Sequence, residues 1–266
     1  METVIPEIVD APQFNSQEEK LYYLIKSWKK DYWSFITTCI RTKDEKDIVT
    51  PVKKFPDDPY LKEVLDTVHS SEILLLPKSR QMMISWVICA YALWRALFYP
   101  YQLILIQSKR EEDAANFVSN GDIQSARISF MYEKLPPFVK TGDRALSRAS
   151  FSIFELSNGS KIWGIPEGAD IIRGNVPSML LSDEMAFQPQ AEAAYQAALP
   201  LAKNGGKFVG VSTALPGFFW ELRDPKGTDI HKVRQGLRKW TTPSQVNVLE
   251  VHYTADLKRD EAWKDR

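Results

Sequence analysis

The sequence predicts an α/β fold in which a mostly parallel central sheet is flanked by helices and carries an antiparallel hairpin at one edge. From residue 72 onward, short apolar runs alternate with segments of helical periodicity, a pattern typical of parallel sheets. Apolar strands at 178–183 and 207–213 end in polar residues, and binding sites form at the carboxyl ends of such strands. Asn158-Gly159 joins two further strand-like runs, which predicts the hairpin.

The composition indicates one large domain with small appendages. The chain has 266 residues, of which 44% are hydrophobic, enough for a sizeable core. Lysines and arginines number 34, as do aspartates and glutamates, so contact with a polyanion would depend on local basic patches. The most apolar stretch, 86–97, is too short to span a bilayer and contains Arg95, which predicts a soluble protein. Cys39 and Cys89 lie in apolar surroundings and are expected to be buried thiols.

The N-terminal part of the chain has a different pattern. Apolar positions at helical spacing in residues 17–40 predict one amphipathic helix, or two in succession, packed on the main body. A partner-binding face is the alternative. The charged, proline-containing segment 41–58 is expected to be a loop or linker. We therefore divide the chain into a helical appendage with its linker (1–50), a main core (51–255) and a short final segment (256–266).

A strand, a loop and a helix in direct succession predict a phosphate-binding loop. The strand at 73–76 runs into the segment 77–85, and an apolar helix follows. In such loops, backbone N–H groups bind an anion, a lysine contacts the β- and γ-phosphates of ATP, and a hydroxyl coordinates Mg²⁺. Lys78 and Ser85 are the candidates for the last two roles. The predicted nucleotide-binding residues of the loop are Lys78, Ser79, Arg80, Gln81, Met82, Met83, Ile84 and Ser85.

This loop contains no glycine. Met83-Ile84 stands where a Gly-Lys pair usually precedes the hydroxyl. Methionines such as Met82 and Met83 do not readily adopt positive φ angles. The alternative is a plain polar turn between a strand and a helix.

Two adjacent carboxylates provide the second half of a hydrolytic site. Asp183 and Glu184 follow the apolar strand at 178–182, 98 residues after Ser85. Asp183 would hold Mg²⁺, and Glu184 would polarise the water that attacks the γ-phosphate. An Asp-Glu pair in a solvated loop is the alternative. The order of the two motifs favours the catalytic interpretation.

These motifs resemble those of a known family. The pattern Lys-Ser-Arg-Gln-x-x-x-Ser at 78–85 is similar to the deviant Walker A motif of the large terminase subunit of tailed bacteriophages, and Asp183-Glu184 resembles its Walker B motif. The resemblance covers roughly residues 50–260. It implies a P-loop NTPase fold of the additional-strand, catalytic-glutamate class. It also implies that Arg80 contacts the phosphates and that Gln81 arranges the loop or the nucleotide.

Three further assignments follow from the resemblance. Arg173, in an Arg-Gly pair before the Asp-Glu strand, would be an arginine finger that acts on a neighbouring subunit, the alternative being a structural arginine. Ser212 and Thr213 resemble the coupling motif, in which hydroxyls sense the γ-phosphate; they could equally just end a strand. Phe55 or Tyr60 could stack on adenine or could be a core anchor.

The family implies a function and partners. The expected activity is ATP hydrolysis, with ATP and Mg²⁺, that drives double-stranded DNA into a viral procapsid. The expected partners are further copies in a pentameric ring, the portal protein and the small terminase subunit, in the host cytoplasm and transiently at the procapsid portal, with no membrane. The final segment, 256–266, would begin a linker to a nuclease domain, and no nuclease activity is expected. The alternatives are a helicase-type or other translocase and a nucleotide-binding assembly module that does not hydrolyse ATP.

Basic residues that could contact DNA phosphates occur in three groups. Each group could also be a solvated surface, because charge runs usually are. The groups are Lys26, Lys29 and Lys30; Arg127, Arg144 and Arg148; and Lys232, Arg234, Arg238 and Lys239.

Overall fold

The computed structural model describes residues 16–121 and 124–259. The helices are α1 (Gln17–Lys30), α2 (Tyr32–Cys39), α3 (Pro59–Ser70), α4 (Ile84–Phe98), α5 (Glu111–Val118), α6 (Arg127–Glu133), α7 (Asp170–Arg173), α8 (Ala191–Lys203) and α9 (Phe218–Leu222). The strands are β1 (Arg41–Lys43), β2 (Val52–Lys54), β3 (Ile73–Pro77), β4 (Leu103–Gln107), β5 (Leu146–Ala149), β6 (Ile153–Leu156), β7 (Lys161–Ile165), β8 (Met179–Asp183), β9 (Lys207–Ser212), β10 (His231–Arg234), β11 (Leu237–Thr241) and β12 (Asn247–Val251).

Ten strands form one sheet in the order β10-β11-β12-β3-β9-β8-β4-β7-β6-β5. The six middle strands, from β12 to β7, are parallel to one another. Strand β9 lies between the strand of the phosphate loop, β3, and the strand of the two acids, β8. This inserted strand is the feature that defines the additional-strand class, so the predicted topology is confirmed.

Antiparallel strands extend the sheet at both edges. The predicted hairpin is β6–β7, where Gly159 of the turn has a φ of 79°. At the opposite edge, the hairpin β10–β11 was not predicted. All four residues of β10 are exposed, so this strand lacks the apolar alternation by which a strand is recognised.

The sheet separates two apolar layers, because successive side chains of a strand point to opposite faces. Leu74 and Leu76 belong to the larger cluster, which includes residues of α1–α4 and α6. Leu75, between them, belongs to the smaller cluster, which includes residues of α8 and α9. Each of these leucines has 0% exposure. Burial on both faces explains why the central strands read as continuous apolar runs.

The N-terminal helices pack on the main core, as predicted. The break between α1 and α2 falls at Asp31, whose side chain accepts the backbone N–H of Ser34 and caps α2. Trp28 and Phe35 are buried in the larger cluster, and the indole N–H of Trp94 donates to the carbonyl of Trp28 at 2.7 Å. These contacts join the helices directly to α4.

The segment 41–58, expected to be a loop or linker, contains a two-stranded antiparallel sheet formed by β1 and β2. Its strands have three residues each, too few for a periodic pattern to be visible. Residues 1–15 of the predicted appendage and 260–266 of the predicted final segment lie outside the described residues.

Both cysteines are buried free thiols, as predicted. Burial raises the pKa of Cys39 and of Cys89 to about 12. Within the described ranges, no helix combines the length and the apolar character needed to cross a membrane.

Candidate nucleotide site

The site forms where three neighbouring parallel strands end. In the register of the sheet, Pro77 of β3 faces Ser212 of β9, and Asp183 of β8 faces Val211 of β9. The residues that follow each strand therefore meet at one edge of the sheet, as expected for parallel strands. The backbone N–H of Lys78 donates to the carbonyl of Ser212 at 2.9 Å and continues this pairing into the loop.

The phosphate loop and the two acids are in direct contact. The Nζ atom of Lys78 donates to Oε1 of Glu184 at 2.9 Å, and the Oγ atom of Ser85 donates to Oδ1 of Asp183 at 3.1 Å. The lysine and glutamate are 106 positions apart in the chain, and the serine and aspartate are 98 apart. The Lys78 side chain is only 9% exposed, so its position is well defined by packing.

The two candidate coupling residues contact the same glutamate. Oε2 of Glu184 accepts hydrogen bonds from Oγ of Ser212 at 3.3 Å, from the backbone N–H of Thr213 at 3.2 Å and from Oγ1 of Thr213 at 3.3 Å. Ser212 is fully buried. Both carboxylate oxygens of Glu184 are therefore bound by neighbouring residues.

The pKa values of the two acids shift in opposite directions. Burial and the negative charge of Glu184 raise the pKa of Asp183 to about 6. The positive charge of Lys78 compensates only part of this rise. For Glu184, burial also acts to raise the pKa, but Lys78 and the hydrogen bonds from Thr213 outweigh it and lower the pKa overall. One carboxylate is therefore stabilised as an anion, whereas the other carries a cost for its charge that a cation would relieve.

Three non-glycine residues at the site have left-handed backbone conformations. The φ angles are 59° at Gln81, 54° at Met83 and 45° at Glu184. Met83, expected to avoid positive φ, adopts it immediately before α4, whereas Met82 does not. Such conformations cost roughly 1–3 kcal/mol each and occur often at functional sites. The loop thus follows a path that usually requires glycine.

A cavity of about 880 Å³ opens beside the loop. The predicted loop residues that line it are Lys78, Gln81, Met82, Met83, Ile84 and Ser85. The other lining residues are Thr42, Lys43, Asp44, Glu45, Lys46, Lys53, Lys54, Pro56, Trp86, Asn116, Gln124, Ser125, Arg127 and Phe130. Many of these come from the β1–β2 region and from the start of α6, which no sequence motif marked.

The remaining two loop residues have other environments. Ser79 does not line the cavity, and its Oγ accepts the backbone N–H of Tyr253 at 3.0 Å. The side chain of Arg80 is exposed, and its carbonyl accepts from the guanidinium of Arg259 at 3.3 Å. The same guanidinium donates to the carbonyl of Gln81. The segment after β12 therefore fixes the backbone of the phosphate loop, a contact that the sequence did not predict.

The two aromatic candidates for adenine stacking are core residues. Phe55 is 3% exposed and meets Trp33 edge-on, with the ring centroids 6.4 Å apart. Tyr60 is 4% exposed, and its hydroxyl donates to the carbonyl of Met82 at 3.3 Å. Both side chains are almost fully buried, which favours the core-anchor alternative for both.

The arginine-finger candidate lies away from the cavity. Arg173 ends the short helix α7, and its side chain is 62% exposed. It is 3.7 Å from Asp170, whose side chain is fully exposed. Arg173 is thus accessible from outside the chain and does not line the cavity of its own chain.

The three arginines grouped as a DNA candidate have different environments. Arg127 lines the cavity. The Nε atom of Arg144 donates to the carbonyl of Val139 at 2.9 Å, which indicates a structural role. Arg148 is exposed on the edge strand β5. The prediction of one basic surface formed by these three residues is therefore not supported, because only the last is free in solvent.

The other two basic groups are largely exposed. Lys26, Lys29 and Lys30 lie on the solvent side of α1. On the hairpin β10–β11, Lys232 and Arg234 are exposed, whereas Arg238 forms an ion pair with Glu250, and Lys239 is partly buried.

The residues at the site fit Mg²⁺ and a nucleotide. Magnesium is usually bound by one or two protein oxygens, with phosphates and water completing its coordination. The Ser85 hydroxyl and the Asp183 carboxylate provide two such oxygens side by side. The raised pKa of Asp183 also fits a group whose charge is completed by a cation.

No family model matches the sequence. The structure is similar to two solved structures of the large terminase from a thermophilic bacteriophage. The first, in complex with ADP, is 15% identical, with a TM-score of 0.53 over 79% of this chain and 49% of that one. The second, from another crystal form, is 13% identical, with a TM-score of 0.52 over 80% of this chain and 50% of that one.

The chain has the fold of a terminase P-loop ATPase domain. The predicted fold class and the predicted resemblance are confirmed at the level of the fold. The chain spans about half the length of the terminase chains that it matches. Sequence identities this low establish the terminase fold alone.

Proposed function

We propose that this chain hydrolyses ATP and that hydrolysis drives the movement of double-stranded DNA into a viral procapsid. The observation that carries the proposal is the convergence of Lys78 and Ser85 with Asp183 and Glu184 at one edge of the sheet. A strand-to-helix turn without a function would not need an ammonium group, a hydroxyl and two carboxylates around one space.

The residues have distinct roles in this proposal. Lys78 exchanges Glu184 for the β- and γ-phosphates, because an ammonium group that is nearly buried needs an anionic partner. Ser85 and Asp183 would hold Mg²⁺, which neutralises charge on the phosphates when bound. Glu184, released from the lysine, accepts a proton from the attacking water.

Ser212 and Thr213 provide a route from hydrolysis to movement. In the described state they bind Oε2 of Glu184. If Glu184 turns toward water when nucleotide is bound, these hydroxyls lose their hydrogen-bond acceptor and adopt other positions. The end of β9 would then differ between the two states, which supports the proposed coupling role.

The two exposed arginines, Arg173 and Arg80, do not line the cavity of the proposed site in the described structure. Arg173 is proposed to act on the nucleotide of a neighbouring copy, which its exposure supports. Arg80 is exposed beside the loop and would need to turn toward the phosphates. Action between copies requires an assembly, and we propose a homo-oligomeric ring, pentameric as in the family, at the portal of a procapsid in the host cytoplasm, with the small terminase subunit as a further partner.

The test of catalysis is ATP turnover by the wild type and by Glu184→Gln. We expect the variant to lose roughly 10²–10⁴-fold in kcat, because it cannot accept a proton, and to keep binding of ATP. Glu192→Gln, at an exposed position on α8, is the matched control and should retain full turnover. Wild-type protein that binds ATP without turnover would contradict the proposal and favour the non-hydrolysing assembly module.

The test of the DNA partner is the salt dependence of binding to duplexes of unrelated sequence. We expect similar affinity for all of them and a slope that becomes shallower by about 0.9 for each phosphate contact removed. The variants replace Lys232 and Arg234, or Lys26 and Lys30, with glutamine. If neither pair changes the slope, these surfaces do not bind DNA. Unwinding of a forked duplex would instead favour the helicase-type alternative.

A further inference from the structure

Arg127 lies at the nucleotide cavity although it belongs to no recognised motif. It is the first residue of α6 and lines the cavity together with Lys78 and Ser85 of the phosphate loop. In the chain it is 42 positions after Ser85 and follows a polar segment, so its place at the loop results from the packing of α6 against α4.

Two aromatic rings hold the Arg127 side chain in place. The centre of its guanidinium is 4.4 Å from the ring centroid of Phe117 and 5.7 Å from that of Trp86. Trp86 directly follows Ser85, so the ring that contacts the guanidinium is adjacent to the proposed magnesium ligand. Guanidinium groups stack well on aromatic faces and keep their hydrogen-bonding edge free when they do so.

The guanidinium of Arg127 lacks a direct polar contact among the residues that the structure describes. None of them forms an ion pair or hydrogen bond with it, and its Nε atom is shielded from solvent without a partner. Its positive charge acts to lower the pKa of Asp183. Lys78, another cation at this edge, is already paired with Glu184. A partly buried guanidinium in such a setting is costly unless an anion binds to it.

We propose that Arg127 binds the terminal phosphate of ATP from within the same chain. This inference rests on the proposed function, since it requires a triphosphate in the cavity. A triphosphate with one Mg²⁺ remains an anion, and a positioned guanidinium offers parallel N–H donors to phosphate oxygens. Arg80, the in-chain arginine implied by the family, is exposed outside the cavity, whereas Arg127 lines it.

The experiment is calorimetric binding of ADP and of the non-hydrolysable analogue AMP-PNP, each with Mg²⁺. Arg127→Gln should weaken AMP-PNP binding about tenfold or more and ADP binding less than about threefold, as expected for the loss of a charge-assisted contact to the terminal phosphate. Arg127→Lys keeps the charge but not the forked arrangement of donors, so its affinity for AMP-PNP should lie between those of the wild type and Arg127→Gln. Arg148→Gln, at an exposed position of β5, is the matched control and should bind both nucleotides as the wild type does.

Three other outcomes would contradict the inference. Equal weakening for the two nucleotides, with a lower Tm, would show that Arg127 only braces Phe117 and Trp86. Unchanged binding of both nucleotides would likewise overturn the inference and leave the proposed function intact. Wild-type protein that binds neither nucleotide would overturn the proposed function, and this inference with it.

Discussion

At the scale of single residues, Lys78 and Glu184 form an ion pair at the end of the sheet. Each of these groups, left unpaired at this partly buried position, would carry a desolvation cost. Pairing them with each other avoids that cost. In the proposed function, ATP binding would exchange this ion pair for one between Lys78 and phosphate, and the carboxylate would become available only after that exchange.

At Asp183, the charge that the proposed magnesium site requires opposes stability. Its pKa rises from 3.8 to about 6 on folding, so the native state penalises its charge. Because the folded pKa is higher than the unfolded one, this penalty is fully present above about pH 6 and vanishes below about pH 4. We therefore expect Asp183→Asn, in EDTA, to increase the free energy of unfolding by about 1–3 kcal/mol at pH 8 and by nothing at pH 4.

Denaturant unfolding at several pH values checks this. Asp229→Asn, at an exposed position, serves as the control and should show no such trend. A wild type that is more stable than Asp183→Asn at pH 8 would show that the carboxylate is stabilised in the native state, contrary to the raised pKa.

At the scale of elements, hydrogen bonds from other parts of the chain hold the phosphate loop in its backbone path. Other phosphate loops reach such a path by using glycine. The hydroxyl of Tyr60 donates to the carbonyl of Met82, and Arg259 donates to the carbonyls of Arg80 and Gln81. These bonds come from α3 and from the segment after β12. They hold the loop in a path that its own residues do not favour, so its conformation depends on the elements around it.

The left-handed conformation of Gln81 can be tested by substitution, since its side chain is exposed and its φ is 59°. Glycine tolerates this conformation and a β-branched residue does not. We expect Gln81→Gly to be more stable than Gln81→Val by about 1–3 kcal/mol in denaturant unfolding. Ala149, exposed and paired in register on the edge strand β5, provides the opposite case: there valine should be more stable than glycine. If valine were more stable than glycine at both positions, the left-handed conformation of Gln81 would impose no constraint.

At the scale of the whole molecule, the N-terminal helices belong to the same core as the ten-stranded sheet. Trp28 is 2% exposed, and its ring lies 6.0 Å from that of Phe35 and 6.2 Å from that of Phe138. The larger apolar cluster is continuous from α1 through α4 to the sheet. A substitution that destabilises α1 should therefore lower the global stability and not merely increase the fraying of one helix.

Trp28→Ala tests this integration. We expect it to lower the free energy of unfolding by about 3–5 kcal/mol, because it removes a large buried side chain and leaves a cavity. Tyr22→Ala, on the same helix but 69% exposed, should change it by less than about 0.5 kcal/mol. Thermal unfolding followed by circular dichroism measures both. Similar Tm values for the two variants would show that α1 is an appendage that unfolds by itself.

The sequence by itself determined the central strands, the edge hairpin at Asn158-Gly159, the phosphate loop and the Asp-Glu pair. These features are set by local patterns: apolar runs buried on both faces, a turn dipeptide, and polar residues at strand ends. The amphipathic N-terminal helices are of the same kind, since a helical period is visible within one segment.

Tertiary structure alone decided which side chains share the site. Arg127 and Arg259 reach the loop through the packing of separate elements, and neither lies in a pattern that local sequence could reveal. Phe55 and Tyr60 were equally compatible with a base and with a core until burial was known. Contacts between residues far apart in the chain depend on how whole elements pack, and that information is distributed over the core and not held in any one motif.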